Sequence, residues 1–350
     1  MKAALLEGIK DMRITDIATP KCRKGEVLVR VAVSGICRTD MKAYYLGQRD
    51  LRLPRVLGHE ITGVVEQIGR GVACVQPGDR VQIAPGLPCG VCSYCQAGLD
   101  HLCDLIKVMG FHYDGGFAEF VLIPETGVNN GVLNKIPDRV SFEEAVLVEP
   151  LACSINMQET AFIGLGDLVV IFGAGPLGIL NAKLARARGA GPIILVEKNK
   201  IRLQAGAKYF DHSVDALEDN VIDRILEISG GRGVNTVIPC CPEPKVFTEG
   251  LLVLAKRGRL CFFSGLLRGA HSPQIDINLI HYKELAVYGA YGCSTLHNKM
   301  ALELIADGLV NVRDMVTLAV PLKEVLSGIQ LVAGSKETKI VVDCLYNTCL

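Results

Sequence analysis

Four cysteines fall within fifteen residues in the spacing C-x2-C-x2-C-x7-C, and they are Cys89, Cys92, Cys95 and Cys103. Four thiolates on one short segment can close a tetrahedral zinc site that leaves no coordination position for a substrate. A site of this kind holds a loop in shape and takes no part in a reaction. The cluster therefore predicts a structural zinc lobe at residues 86–105.

A glycine-rich segment of the form G-x-G-x-x-G reads Gly173, Ala174, Gly175, Pro176, Leu177, Gly178. It follows an apolar strand pattern and opens a helix pattern, which is the context of a dinucleotide-binding turn. The first glycine would permit the tight turn, the second would let the backbone approach a pyrophosphate, and the third would let helix and strand pack closely. Free N–H groups at the helix N-terminus would then face the phosphates.

An acid that follows such a turn by about 20 residues is the usual partner of the adenosine ribose. Glu197 stands at this position, after the apolar run 192–196. Its carboxylate would accept hydrogen bonds from ribose hydroxyls and repel a 2′-phosphate, so NAD is predicted over NADP. Lys198, Lys200 and Arg202 follow closely and act against that preference. Arg202 is itself a candidate for binding the cofactor.

The composition is that of a globular protein with two domains. The chain has 350 residues, 49% of them hydrophobic, and Lys+Arg and Asp+Glu both number 37. No basic block appears, which argues against nucleic acid as a partner. No run approaches the ~18 apolar residues of a membrane span, and the N-terminus lacks the apolar region of a signal peptide. A cytoplasmic location is therefore predicted.

The spacing of apolar residues changes along the chain, and the change divides it into domains. Residues 1–150 read as short strands with Gly/Pro turns, which is typical of an irregular β-barrel-like domain. In residues 151–290 strands alternate with helices, which predicts an α/β domain with a doubly wound parallel sheet. Residues 291–350 are expected to return to the first domain. A long helix is expected over 142–157 and strands over 116–123 and 339–345.

Cys37, His59, Glu60 and Glu149 are donors of the S, N and O types that a catalytic zinc ion uses. Spacing alone cannot join residues that lie this far apart in the sequence.

A resemblance to a known family does join them. The chain resembles the zinc-containing medium-chain dehydrogenases/reductases, which include alcohol, sorbitol and threonine dehydrogenases. The similarity covers essentially the whole chain, and it implies a Rossmann domain and a GroES-like catalytic domain. Besides the zinc lobe, the motifs that carry it are G-I-C-x-T-D at 35–40, G-H-E at 58–60, P-G-D-R-V at 77–81, D-G-G-F-A-E at 114–119, E-P-L-A at 149–152 and G-A-G-P-L-G at 173–178.

The resemblance implies that Cys37 and His59 bind a catalytic zinc ion. The third ligand would be Glu60 or Glu149, because in the polyol and threonine branches either glutamate can ligate. Ethanol-type members commonly carry cysteine at the position of Glu149. A glutamate there points to the polyol and threonine side of the family.

The resemblance also assigns roles on the segment that follows Cys37. Thr39 matches the hydroxyl that starts the family's proton relay, and Arg38 matches an arginine that binds the cofactor pyrophosphate. Lys42 stands where the relay histidine is usual; it would relay a proton, contact an anionic substrate, or be simply solvated. Ser264 and Leu266 would lie near the nicotinamide ribose, and Tyr291 would contribute nearby.

These observations predict an enzyme that uses one catalytic and one structural Zn²⁺ and transfers a hydride between NAD and a secondary alcohol. A polyol, sugar or cyclitol is the expected substrate, and L-threonine 3-dehydrogenase or another functionalised-alcohol dehydrogenase is the alternative. A non-catalytic scaffold should have lost a ligand of the open zinc site, yet all the candidates are present. The resemblance implies a homodimer or homotetramer, for which the apolar segment 285–291 is a candidate interface.

Overall fold

The computed structural model of the protein describes residues 1–266, 271–334 and 337–345. The strands of this part of the chain are β1 (Lys2–Gly8), β2 (Asp11–Asp16), β3 (Val27–Ile36), β4 (Arg55–Val56), β5 (Glu60–Ile68), β6 (Arg80–Ile83), β7 (Gly86–Leu87), β8 (Lys107–Val108), β9 (Phe120–Ile123), β10 (Leu133–Lys135), β11 (Val169–Phe172), β12 (Ile193–Glu197), β13 (His212–Asp215), β14 (Val234–Pro239), β15 (Leu254–Phe262), β16 (Ala286–Gly289), β17 (Val316–Pro321) and β18 (Lys339–Asp343). The α-helices are α1 (Arg38–Leu46), α2 (Ser93–Gln96), α3 (Glu125–Asn129), α4 (Phe142–Ala145), α5 (Val148–Thr160), α6 (Pro176–Ala187), α7 (Lys200–Gly206), α8 (Val221–Ile228), α9 (Lys245–Val253), α10 (Ile277–Lys283), α11 (Thr295–Ala306) and α12 (Val325–Gly334). Short 3₁₀ helices span Asp100–Leu102, Ala207–Tyr209 and Leu322–Glu324.

The chain divides into two compact units, one formed by residues 1–152 with 293–350 and the other by residues 153–292. The largest sheet of the first unit has the strand order β10-β6-β5-β3-β18-β17, and β9 also pairs with β3. Two small sheets, β2-β1-β4 and β7-β8, complete this unit. The first unit is thus rich in β-strands, as the predicted β-barrel-like domain requires.

Strand β3 is the centre of the first unit. Nine of its ten residues are buried, and its pairing with β5, β9 and β18 leaves no free edge over most of its length. At its C-terminal end, Gly35 lies opposite Glu60 of β5 on one side and Val341 of β18 on the other. The first residues of β5 and β18 are thereby placed close to Cys37, the residue that follows β3.

The second unit contains one parallel sheet with the strand order β13-β12-β11-β14-β15-β16. Counted within the unit, this is the order 3-2-1-4-5-6 of a doubly wound dinucleotide-binding domain. The predicted α/β fold class is confirmed.

The central strand β11 shows why both faces of this sheet are covered. All four of its residues are buried. Val170 and Phe172 belong to one apolar core cluster, and Val169 and Ile171 belong to the other. Since alternate residues of a strand point to opposite faces, a continuous apolar run supplies a core on each side of the sheet.

Two predicted elements differ from the structure. The helix expected over 142–157 is two helices, α4 and α5. Ser141 and Glu144 form a capping box that starts α4, and Pro150 is third in α5, where its missing N–H falls within the first turn. The strand expected over 116–123 is confined to β9, because residues 115–117 donate their N–H groups to the carbonyl oxygens of residues 56–58, at the end of β4 and just after it.

The turn before α6 yields a prediction about stability. A Cβ atom at Gly178 would lie 1.9 Å from the carbonyl oxygen of Gly173. We therefore expect Gly178→Ala to lower the free energy of unfolding by about 1–3 kcal/mol, although alanine favours a helix by about 1 kcal/mol. Chemical denaturation measures the free energy of unfolding. Gly164→Ala is the matched control because a Cβ there meets nothing within 4 Å; equal stability of both variants would contradict the close packing.

Candidate active site

The four clustered cysteines lie close enough together to share one metal ion. The Sγ atom of Cys95 lies 3.5 Å from that of Cys92 and 3.9 Å from that of Cys89, and all four Sγ atoms lie within 4.8 Å of one another. Zinc–sulfur bonds of about 2.3 Å in a tetrahedron separate the sulfurs by about 3.8 Å, whereas a disulfide bond is about 2.05 Å long. The four thiols therefore fit a structural zinc ion.

Backbone amides favour the thiolate forms that bind zinc. The N–H groups of Val91 and Cys92 donate to Cys89 Sγ and lower the pKa of Cys89. The backbone amide of Cys95 lowers the pKa of the Cys92 thiol to about 6. Burial, and then the hydrogen bond with Cys92, raise the pKa of Cys95 to about 12, so a metal that binds this thiolate displaces a proton.

A second donor set forms where β3 ends and β5 begins. Cys37 follows β3 and caps the N-terminus of α1, while His59 precedes β5 and Glu60 opens it. One donor atom from each of the three lies within 4.8 Å of the others. His59 is 6% and Glu60 is 1% exposed. One sulfur, one nitrogen and one oxygen ligand, with a further position left open, are the donors that fit a catalytic zinc ion.

Asp40 supports this site, although the sequence analysis did not single it out. Its buried carboxylate lies with Oδ1 3.2 Å from Nδ1 of His59, and Oδ2 accepts a hydrogen bond from the backbone N–H of Cys37 at 2.8 Å. A carboxylate that accepts a hydrogen bond from Nδ1–H keeps the proton on that nitrogen and leaves Nε2 of the imidazole free for a metal. The available signal was an acid at the third position of a helix that begins after Cys37, which is where a capping carboxylate is expected.

The same contacts set the protonation of His59. Burial lowers the pKa of His59, but Asp40 and Cys37 raise it more, so the pKa stands well above its usual value. These contacts therefore favour the protonated imidazole. Since only the neutral ring binds zinc, metal binding and protonation compete for this ring.

Lys339 is the second residue of the site that the sequence analysis missed. It opens β18, and its Nζ donates to Oε2 of Glu60 and, at 3.3 Å, to the carbonyl oxygen of Ile36. Burial lowers the pKa of Lys339, but Glu60 and Cys37 raise it above its usual value, so the ammonium group stays charged. No local pattern could reveal this contact, because 279 residues separate the two partners.

Glu149 lies in the first turn of α5. Its carboxylate comes within 4.8 Å of the Sγ atom of Cys293 and does not join the donor set of Cys37, His59 and Glu60. Between the two candidate glutamates, the structure thus brings Glu60 to the cysteine and the histidine. Glu149 acts at longer range, where it contributes to the electrostatic environment of Lys339.

Helix α1 carries three of the predicted residues beside this donor set. The Cys37 thiol donates to Oγ1 of Thr39 at 3.6 Å, so the threonine hydroxyl lies next to a candidate zinc ligand. Arg38 is exposed, and Lys42 is partly buried. Burial, and then the neighbouring Arg38, lower the pKa of Lys42. Because residues four apart share one face of a helix, Arg38 and Lys42 form a small cationic surface.

The dinucleotide turn of the second unit lies between β11 and α6. Gly173 has a φ of 105°, a conformation that glycine adopts without strain. Gly175 caps α6, and Pro176 and Leu177 are its first two residues. If Gly175 carried a Cβ atom, that atom would have one neighbour within 4 Å among the described residues. This neighbour is a guanidinium nitrogen of Arg202, at 3.7 Å. The turn is thus open to a pyrophosphate, with a cation beside it.

Glu197 at the end of β12 is part of the same turn. Its Oε2 accepts a hydrogen bond from the N–H of Ala174 at 2.8 Å. Its Oε1 accepts hydrogen bonds from the N–H groups of Lys198 at 2.9 Å and Asn199 at 2.8 Å. A carboxylate has about four acceptor positions, so one remains for a ribose hydroxyl.

The other predicted cofactor residues lie past the ends of later strands. Ser264 and Leu266 follow β15, and Tyr291 follows β16. Tyr291 is 59% exposed, and its carbonyl oxygen accepts a hydrogen bond from the Asn156 amide at 3.4 Å. Ligands of doubly wound sheets bind outside the carboxyl ends of the strands, which is the edge where these residues lie.

Among the described residues, no helix is long and apolar enough to cross a membrane. The cytoplasmic location stays a prediction.

The contact between Asp40 and His59 leads to a test of metal binding. We expect Asp40→Asn to weaken zinc binding at the open site by about 10–100-fold, because an amide no longer selects the ring tautomer that binds metal. Competition with a chromophoric chelator measures this affinity. The four-cysteine site serves as the internal control, and its affinity should not change. An unaltered affinity at the open site would show that Asp40 does not orient His59.

Comparison with known proteins identifies the family. Residues 23–137 match the model of the alcohol dehydrogenase GroES-like domain, and residues 176–307 match that of zinc-binding dehydrogenases. A protein of Aspergillus fumigatus named "Probable D-xylulose reductase A" is 33% identical, over 97% of this chain and 95% of its own. The L-threonine 3-dehydrogenase of Pyrococcus furiosus is 32% identical, over 87% of this chain and 86% of its own.

A solved structure agrees with these relatives. It is that of a Sinorhizobium meliloti protein assigned to the zinc-binding dehydrogenases and bound to NADP, with a TM-score of 0.90, 29% identity and 98% of each chain covered. The predicted dehydrogenase class, with zinc and a nicotinamide dinucleotide as cofactors and a small alcohol as substrate, is confirmed. The chain belongs to the zinc-containing medium-chain dehydrogenases/reductases of the alcohol dehydrogenase superfamily.

Proposed function

We propose that the protein oxidises a secondary alcohol of a polyol, sugar or cyclitol with NAD⁺, and catalyses the reverse reduction. The observation that carries this proposal is the buried donor set of Cys37, His59 and Glu60, which leaves room for a substrate oxygen. When bound there, zinc supplies a Lewis acid that lowers the pKa of the substrate hydroxyl.

The residues of this chain then have distinct tasks. Cys37, His59 and Glu60 hold the metal, and Asp40 fixes the orientation of the imidazole. The hydroxyl of Thr39, next to the Cys37 thiol, is placed to receive the substrate proton. Lys42 lies one helical turn further along α1 and has a lowered pKa, which suits a group that passes this proton to solvent.

The substrate class rests on Glu149 and on the relatives. A glutamate at this position is typical of the polyol and threonine branches rather than the ethanol branch. The relative named for D-xylulose reduction aligns over nearly the full length of this chain. We therefore place a polyol or sugar first.

L-Threonine is the second candidate, because a threonine dehydrogenase is also among the relatives. Lys42 replaces the histidine that usually relays the proton in that branch, which places threonine second.

The preference for NAD over NADP rests on charge near Glu197. A 2′-phosphate would lie beside this buried carboxylate, and the two would repel each other. Lys198 and Lys200, which could offset this repulsion, are paired with Glu243 and Glu218. The structural neighbour that binds NADP makes this preference worth measuring directly.

We also propose a homodimer or homotetramer. Strand β16 lies at the end of the six-stranded sheet, and Val287 on it is 42% exposed. An apolar strand at a sheet edge offers unpaired backbone groups to a second copy of the chain.

A substrate panel tests the proposed function. Zinc-replete protein should reduce NAD⁺ with at least one polyol, aldose or cyclitol, and kcat/KM for NAD⁺ should exceed that for NADP⁺ by at least about tenfold. Absorbance of the reduced cofactor measures both. Cys37→Ser is the control: it should bind NADH, detected by fluorescence, and turn over no alcohol. Turnover of threonine alone would favour the second candidate, and a preference for NADP⁺ would contradict the role given to Glu197.

A further inference from the structure

Two segments of the first unit, residues 48–56 and residues 107–114, are tied to each other. The N–H group of Arg52 donates to the carbonyl oxygen of Phe111 at 3.3 Å. Nη1 of Arg55 donates to Oδ1 of Asp114 at 2.9 Å, and the N–H group of Val56 donates to the same oxygen at 3.2 Å. The side chains of the two segments are thus presented on one surface.

The 107–114 segment contacts the donor set of the open site. The buried ring of Phe111 packs against the imidazole of His59, with 5.6 Å between the ring centroids. His112 follows directly, and its Nδ1 accepts a hydrogen bond from the N–H group of Val108 at 3.1 Å. An imidazole nitrogen that accepts carries no proton, so the neutral ring has its proton on Nε2. This Nε2–H group has no hydrogen-bond partner in the part of the chain that the structure describes.

The two segments carry an excess of positive charge. The basic residues are Arg49, Arg52, Arg55 and Lys107, and the acidic residues are Asp50 and Asp114. Both acids are already paired with arginines of the 48–56 segment. The side chains of Arg52 and Lys107 are exposed, and neither has an acidic partner among the described residues. Two cationic groups are therefore left without a counterion.

The positive charges converge on His112. Burial and then Lys107 lower the pKa of His112, whereas Asp50 raises it. Arg52 and Arg55 lower this pKa further, so cations of both segments lie close to the same ring. An anion on this surface would meet charged donors and the neutral Nε2–H group together, and hydrogen bonds from charged donors to an anion are the strongest of their kind.

We propose that Arg52, Lys107 and His112 form a subsite for an anionic group of the substrate, a phosphate ester or a carboxylate. The inference rests on the proposed function, which it narrows. The substrate is then a polyol or sugar whose reacting carbinol lies at the donor set and whose anionic end reaches past Phe111. A guanidinium group binds phosphate and carboxylate oxygens through two parallel hydrogen bonds, which makes Arg52 the main determinant of this preference.

Matched pairs of substrates test the subsite. Zinc-replete, full-length protein is assayed with NAD⁺ on a polyol and its terminal phosphate ester, and on a sugar and the corresponding sugar acid. For at least one pair, kcat/KM of the anionic member should exceed that of the neutral member by at least about tenfold, the scale of one hydrogen bond to a charged group. The pair that shows the preference distinguishes a phosphate ester from a carboxylate.

Arg52→Gln should lower this ratio of kcat/KM by about tenfold, because the charged donor is lost. Arg23→Gln is the matched control. Arg23 is an exposed arginine of the same unit, and it precedes β3, whereas Cys37 follows the other end of that strand. The control should therefore keep the wild-type ratio.

A second measurement needs no turnover. Inorganic phosphate is added to zinc-replete protein saturated with NADH, since the cofactor occupies the dinucleotide turn, where phosphate would otherwise bind. Compared with sodium chloride at equal ionic strength, phosphate should raise the midpoint of thermal unfolding in the wild type and in Arg23→Gln. The increase should be smaller in Arg52→Gln and in Lys107→Gln. Both of these side chains are exposed, so their replacement leaves the core intact.

Three results would overturn the proposal: neutral members preferred in both pairs, a substrate ratio that Arg52→Gln leaves unchanged, or an equal effect of phosphate on the wild type and Arg52→Gln. If no alcohol is oxidised, the proposed function fails, and the comparison with phosphate still decides whether the anion subsite exists.

Discussion

The pairing of β3 with β5 on one side and β18 on the other is the constraint on which the donor set of Cys37, His59 and Glu60 depends. Cys37 follows the last residue of β3, Glu60 opens β5, and Lys339 opens β18. Backbone hydrogen bonds fix the register of the three strands, and the register decides which residues of neighbouring strands lie side by side. A metal site built on paired strands is held more firmly than one built on loops, which suits ligands that come from distant parts of the sequence.

Buried carboxylates are the second common feature, and each has a defined set of partners. Asp40 accepts from backbone amides and faces His59, and Glu60 faces Lys339. Glu197 accepts from three backbone amides at the glycine turn. A buried charge without such partners would be costly, so each partner set also fixes the position of its carboxylate. In each of the two units, the hydrogen bonds and ion pairs of the buried carboxylates thus orient the side chains of the candidate site.

The sequence predicts well what is local. The cysteine lobe and the glycine turn are continuous segments with characteristic spacing, and the apolar runs around β11 and β12 mark the parallel sheet. It could not predict the contact between Lys339 and Glu60, because pairing between strands distant in sequence leaves no local pattern. Asp40 was missed for another reason: a capping acid after Cys37 has an ordinary helix-start role, and only the structure shows that it also faces His59. The break between α4 and α5 was missed because the apolar pattern runs on through it.

The proposed reaction needs one closed site of four thiolates and one open site at Cys37, His59 and Glu60. The most direct test is the zinc content per chain, measured by mass spectrometry of the metal in wild-type protein and in Cys37→Ser and Cys103→Ser variants. We expect two zinc ions in the wild type and a single one in each variant, with catalytic activity lost in Cys37→Ser. A wild type that binds one zinc ion, retained in full by Cys37→Ser, would contradict the open site and with it the proposed reaction.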